Sequence, residues 1–102
     1  MPKPKTLTDF EDRFPKVWKT YEAFRDACDA AGALDAKTRE LVKVGIQAAL
    51  GRRGGLVAHI ERARRAGAKD DEILHAVLLA TPLAGMPEVL DAFRVAKERM
   101  GE

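Results

Sequence analysis

Residues 35–51 read DAKTRELVKVGIQAALG, and this stretch decides the fold. Asp35 is the residue type that caps a helix start, and Gly51 is the type that ends one. Between them Leu41, Val42, Val44, Gly45, Ile46, Ala48, Ala49 and Leu50 cover nearly every side. The pattern predicts a helix buried almost all round. Past the first turn its polar interruptions are Lys43 and Gln47. With Glu40 they fall at i, i+3 and i+7, and so share one narrow stripe. A polar stripe on a buried helix either meets water at an edge or lines a cleft.

Working outward, four more helical segments follow from period and punctuation, and no segment alternates like a strand. Upstream, a helix is expected from near Pro15, with Gly32 as its stop. Phe14, Val17, Trp18, Tyr21, Phe24 and Cys28 make one stripe along it, read as facing the core. Residues 1–9 are expected to form a loose N-terminal arm. Downstream, a helix running to Ala66 buries Leu56, Ile60 and Ala63, with His59 on the same side. The next opens on Asp70, Asp71 and Glu72, acids that suit a helix N-terminus. It buries Ile73, Leu74, Val77, Leu78 and Thr81, and Pro82 breaks it. The last starts at Pro87 and carries Val89, Leu90, Phe93, Ala96 and Met100. The expectation is an all-α chain of about five helices, one domain over residues 1–102.

Composition agrees and narrows the function classes. With 46% hydrophobic and 33% charged residues, the 102-residue chain is not a disordered one. A chain of this size buries a small core, which makes partner subunits expected. Ala76 to Pro87 is the longest uncharged run, too short to cross a bilayer. The N-terminus lacks the apolar run of a secretory signal. Eighteen basic and 16 acidic residues give +2, which does not point to nucleic acid. Arg62, Arg64, Arg65 and Lys69 are flanked by Glu61, Asp70, Asp71 and Glu72 with no interleaved aromatic, so they read as a solvated face. Cys28 is the single cysteine, which forbids an internal disulfide and fits a cytoplasmic setting.

Three features could carry chemistry. Gly51-Arg52-Arg53-Gly54-Gly55 joins two helices. Its glycines let a backbone approach a ligand, its arginines can fork onto a carboxylate, and a helix N-terminus follows. An anion suits that assembly, although a solvated turn with surface arginines is the simpler reading. His59 lies about one turn into the following helix. Glu40 heads the polar stripe on the helix before it, and helices joined by a short turn pack together. A carboxylate beside a half-buried imidazole fixes its tautomer and makes a proton-transfer pair. Read singly, each residue is more simply a packed histidine and a surface acid. No metal-ligand cluster and no phosphate-binding glycine motif is present.

These residues resemble a known family. Leu34-Asp35-Ala36-Lys37-Thr38-Arg39-Glu40-Leu41, the run from His59 to Ala68, Asp71-Glu72-Ile73, and Ala84-Gly85-Met86-Pro87 followed by Asp91-Ala92-Phe93 are similar, in order and spacing, to the carboxymuconolactone decarboxylase family. That family belongs with the alkylhydroperoxidase D-like (AhpD-like) proteins. The resemblance spans about Phe14 to Lys97. It implies an all-helical fold assembled as a homo-oligomer, a trimer or hexamer, with sites near subunit contacts. In the peroxidase branch a relay glutamate, a CxxC pair and a histidine act together. Glu40 and His59 match the glutamate and histidine, whereas the cysteine positions hold Arg52 and Gly55. Dithiol peroxide reduction is therefore not available. In the decarboxylase branch an arginine precedes the histidine by seven positions, as Arg52 precedes His59.

Two functions follow as expectations. One is a cofactor-free lyase or proton-transfer enzyme on a small carboxylated lactone or related acid. There His59 and Glu40 are catalytic, and Arg52, Arg53, Gly54 and Gly55 bind the anionic substrate. No metal, nucleic acid or membrane is involved. The other is a non-catalytic oligomeric AhpD-like scaffold that lacks the dithiol.

Overall fold

The computed structural model describes residues 3–102, and among them lie seven helical segments and no strand. They are α1 (Lys5–Arg13), α2 (Pro15–Ala30), α3 (Ala36–Leu50), α4 (Arg53–Arg65), α5 (Asp70–Leu78), α6 (Thr81–Ala84) and α7 (Met86–Arg99). The all-α expectation holds. The two helices beyond the expected five are α1 and the single turn α6.

The helix ends follow local chemistry. Asp35 caps α3 by accepting the Thr38 N–H at 2.8 Å, and Gly51 closes it in the left-handed region at φ 68°. Such a φ is cheap only without a Cβ. Glu72 reaches back to accept the Lys69 N–H at 2.9 Å, holding the start of α5. Pro82 and Pro87 each stand in a first helical turn, where no N–H is missed.

Chain packing divides into two compact units, Met1–Ala33 and Leu34–Glu102. In the second, α3, α4, α5 and α7 meet around Val44, Ala48, Leu56, Ile60, Ala63, Ile73, Val77, Val89, Ala92, Val95 and Ala96. Several of these are small, and the helices approach closely where they are. At Gly45 an added Cβ would lie 3.3 Å from the Ala76 carbonyl oxygen, so α3 and α5 come nearly backbone to backbone.

The first unit differs from expectation. Residues 1 and 2 lie outside the described residues, and the rest of the expected loose arm is helical from Lys5. Phe10 packs on Phe14 and Trp18 at ring-centre distances of 5.3 and 6.3 Å, and Trp18 on Tyr21 at 5.4 Å. Neither α1 nor α2 has a buried residue. The stripe read as core-facing is thus exposed at Phe14, Val17, Tyr21 and Phe24, the last to 66%. Periodicity identified residues that share a side, but two helices alone cannot cover that side.

The same correction applies to α3, α5 and α7. Val42, Ile46 and Leu50 are exposed on a helix read as buried all round. Leu78 is exposed on α5. On α7 the covered residues are Val89, Ala92, Val95 and Ala96, while Leu90 and Phe93 face outward. Glu61, which could have paired with Arg65, instead takes Arg99 at 3.2 Å.

Candidate active site at the α3–α4 seam

The two-residue break between α3 and α4 sends α4 back along α3. Gly51 turns the chain, and the Arg52 N–H donates to the Gln47 carbonyl at 3.1 Å. This return brings Glu40 opposite His59, across 19 positions of chain. Glu40 Oε1 lies 3.2 Å from His59 Nδ1. The two side chains keep 11% and 14% of their surface exposed, so the pair is largely withdrawn from water without being sealed. Glu40 is the buried charged residue of the core unit. The Lys43 ammonium stands 3.7 Å from its other oxygen, Oε2.

An ionised carboxylate only accepts hydrogen bonds, so the ring nitrogen beside it carries the hydrogen and donates. The lone pair of the neutral ring is then on Nε2. Holding Nδ1–H in this way is how a carboxylate fixes the orientation and tautomer of an imidazole.

The four residues expected to bind substrate are not placed alike. Arg52 is the N-cap of α4 and is exposed, about 10 Å before His59 along the helix axis. Among the described residues its guanidinium has no hydrogen bond or ion pair, and its side chain gives α4 no cap. Arg53 is exposed and faces Glu98, with Nη2 3.6 Å from Oε2. Gly54 has open space where a Cβ would be, whereas at Gly55 that space is filled by the side chain of Gln47. The structure therefore brings Glu40 and His59 together and sets Gly55 one turn before His59 on the same face. It does not bring Arg53 to the pair. Gln47, visible in the sequence as part of the polar stripe, was not read as a site residue. The signal for it is the coincidence of a glycine on one helix with a long polar side chain on the next.

A second hollow lies on the opposite side of α3. Its volume is about 460 Å³, and α3, α5 and α6 line it. Leu41, Val42, Ile46, Leu79 and Leu83 make it mostly apolar, with Thr38, Glu72 and His75 as polar groups. Lys37 holds Glu72 at 2.9 Å. Among the described residues, no group of three metal-binding side chains gathers at either place. Cys28 is exposed on α2, and among the described residues no helix is long and apolar enough to cross a membrane.

The profile of the Carboxymuconolactone decarboxylase family matches residues 15–98. The chain belongs to that family. The match runs from the first residue of α2 to within one residue of the end of α7 and includes both members of the Glu40–His59 pair. No curated protein matches it. For a member of the carboxymuconolactone decarboxylase family, this chain has a single cysteine, Cys28, and arginine and glycine at positions 52 and 55.

Proposed function

We propose that the chain is a cofactor-free lyase or proton-transfer enzyme acting on a small carboxylated lactone or related acid. We further propose that it works as a cytoplasmic homo-oligomer. The observation that carries the reading is the 3.2 Å approach of Glu40 to His59 Nδ1 in a half-closed seam. Arg52, with an exposed guanidinium two turns away, is the group suited to a substrate carboxylate.

The reaction follows from these groups. The bond between the substrate carbon and its departing carboxylate breaks, and the electron pair stays on carbon as carbon dioxide leaves. Positive charge placed near the resulting enolate lowers the barrier. The His59 imidazolium gives its Nε2 proton to that carbon, and Glu40 keeps the Nδ1 proton in place throughout. Solvent returns the Nε2 proton for the next turnover. A positioned acid of this kind contributes about 10²- to 10⁴-fold in rate.

The alternative is an oligomeric scaffold without catalysis. Its support is the apolar surface of α3, α5 and α6, together with the engagement of Arg53 by Glu98. Carbon dioxide release from a panel of carboxylated lactones decides between them. The enzyme reading expects turnover by the wild type and its loss in His59→Ala. Equal rates in the two proteins, or no turnover on any lactone, would leave the scaffold.

A further inference from the structure

The seam contains polar groups that the proposed reaction does not use, and Gln47 is one of them. Gln47 is two turns beyond Glu40 on the same side of α3, and it meets α4 at Gly55 as Glu40 meets it at His59. Gly55 and His59 are four residues apart and so are neighbours on one helix face. The fit at Gly55 is close. A Cβ there would fall 2.5 Å from both Cδ and Oε1 of Gln47, and 2.8 Å from Nε2. Only a residue without a side chain leaves the carboxamide this position.

The carboxamide gains no hydrogen bond for its oxygen there. Gln47 Oε1 is buried and has no hydrogen-bond partner among the described residues. A buried acceptor without a donor is costly, and native proteins keep few of them. A packing role alone would be filled better by leucine or methionine. The polar group is explained if something with a donor meets it. The residue as a whole is half-buried, and the terminal bond of a glutamine side chain turns easily, so the oxygen can be presented to an incoming molecule. Arg52 is adjacent, because its N–H is bonded to the Gln47 carbonyl at 3.1 Å. The Arg52 backbone, an unmet amide oxygen and His59 thus follow one another along the seam, with the Arg52 side chain exposed at its end.

We propose that Gln47 is the specificity-determining residue of this site, accepting a hydrogen bond from a hydroxyl of a substrate whose carboxylate is held by Arg52. The substrate class is then a small hydroxy acid, or a lactone acid that presents a hydroxyl or its enol. This deepens the reading of Glu40 and His59 as the reaction centre and rests on it. A site built to meet a donor discriminates against the analogue that lacks one.

Malate and succinate differ by one hydroxyl and serve as probes. Each is titrated into the full-length protein while NMR follows the Gln47 side-chain amide and the His59 ring. The expected result is at least a tenfold tighter binding of malate, with both sets of signals moving. The preference should vanish in Gln47→Leu, which removes the unmet oxygen and keeps the bulk. It should also fall in Gly55→Ala, whose methyl displaces the carboxamide; this variant carries the test should the first not fold. Equal affinity in the wild type, binding of neither acid, or a preference that survives both substitutions overturns the proposal. A Gln47-dependent preference in a protein that turns over no lactone upholds the contact and overturns the decarboxylation.

Discussion

The two sides of α3 are built on opposite principles. Toward α4 the helix presents Glu40 and Gln47, and the seam closes tightly enough to leave little of either Glu40 or His59 in water. Toward α5 and α6 it presents Val42 and Ile46, and the space stays open as a mostly apolar hollow of about 460 Å³. The apolar hollow is therefore not where the Glu40–His59 pair lies. Volume marks where an apolar partner fits, whereas a carboxylate against an imidazole marks where a proton can be held. In this chain a single helix carries the Glu40–His59 pair on one side and borders the apolar hollow on the other.

The sharpest way to break that contrast is to remove chemistry from one side and bulk from the other. His59→Ala should reduce lactone turnover by about 100-fold or more, while His75→Ala, on the apolar side, should leave it within about twofold. Steady-state kinetics on the two proteins checks this, and equal losses would erase the distinction between the sides.

Stability should show the inverse pattern. Ile60 is fully buried in the core, and Ile60→Ala should cost about 2–5 kcal/mol. Ile46 on the open side is half exposed, and Ile46→Ala in the dissociated chain should cost less than about 1 kcal/mol. Urea unfolding at low protein concentration measures both. The proposed assembly sharpens the comparison further. Leu83 is 88% exposed beside the apolar hollow, so Leu83→Lys should lower the mass seen by light scattering without unfolding the helices. An unchanged mass would mean that this side is not an interface.

The smallest expected effect is on acid stability. The Thr38 N–H holds the Asp35 carboxyl below its ordinary value of 3.8. The Lys69 N–H, and then the Lys37 ammonium, hold Glu72 below 4.5. Groups lowered on folding stabilise the fold above their unfolded values, and that contribution is lost as pH falls through the folded ones. The melting temperature should therefore drop below about pH 4. Asp35→Asn keeps a cap that does not titrate, so its drop should be shallower when thermal melts are compared from neutral to acid pH.

Much of the second unit was legible because its signals are local. Asp35 and Gly51 bracket α3 by their own backbone chemistry, and the short break at Arg52 obliges α4 to return along α3, so Glu40 and His59 could be paired from the sequence. The apolar faces were less legible. Helical period placed Val89 and Ala96 on the covered side of α7, but it put Leu90 and Phe93 there too and did not say that the close approach of neighbouring helices would favour Ala92 and Val95 at the contact. Likewise Phe14, Tyr21 and Phe24 read as core when nothing in the sequence says what covers them. Gly55 was legible as a permissive backbone residue, yet its use here is to receive a side chain from another helix, which only the packing of α3 on α4 reveals.

The account depends most on which nitrogen of His59 carries the hydrogen. Long-range ¹H–¹⁵N correlation NMR of the neutral ring reads this directly. A protonated Nδ1 and a bare Nε2 are predicted, with that preference lost in Glu40→Ala. A ring protonated at Nε2 in the wild type, or a tautomer indifferent to Glu40, would contradict the claim that the acid prepares the imidazole for proton transfer.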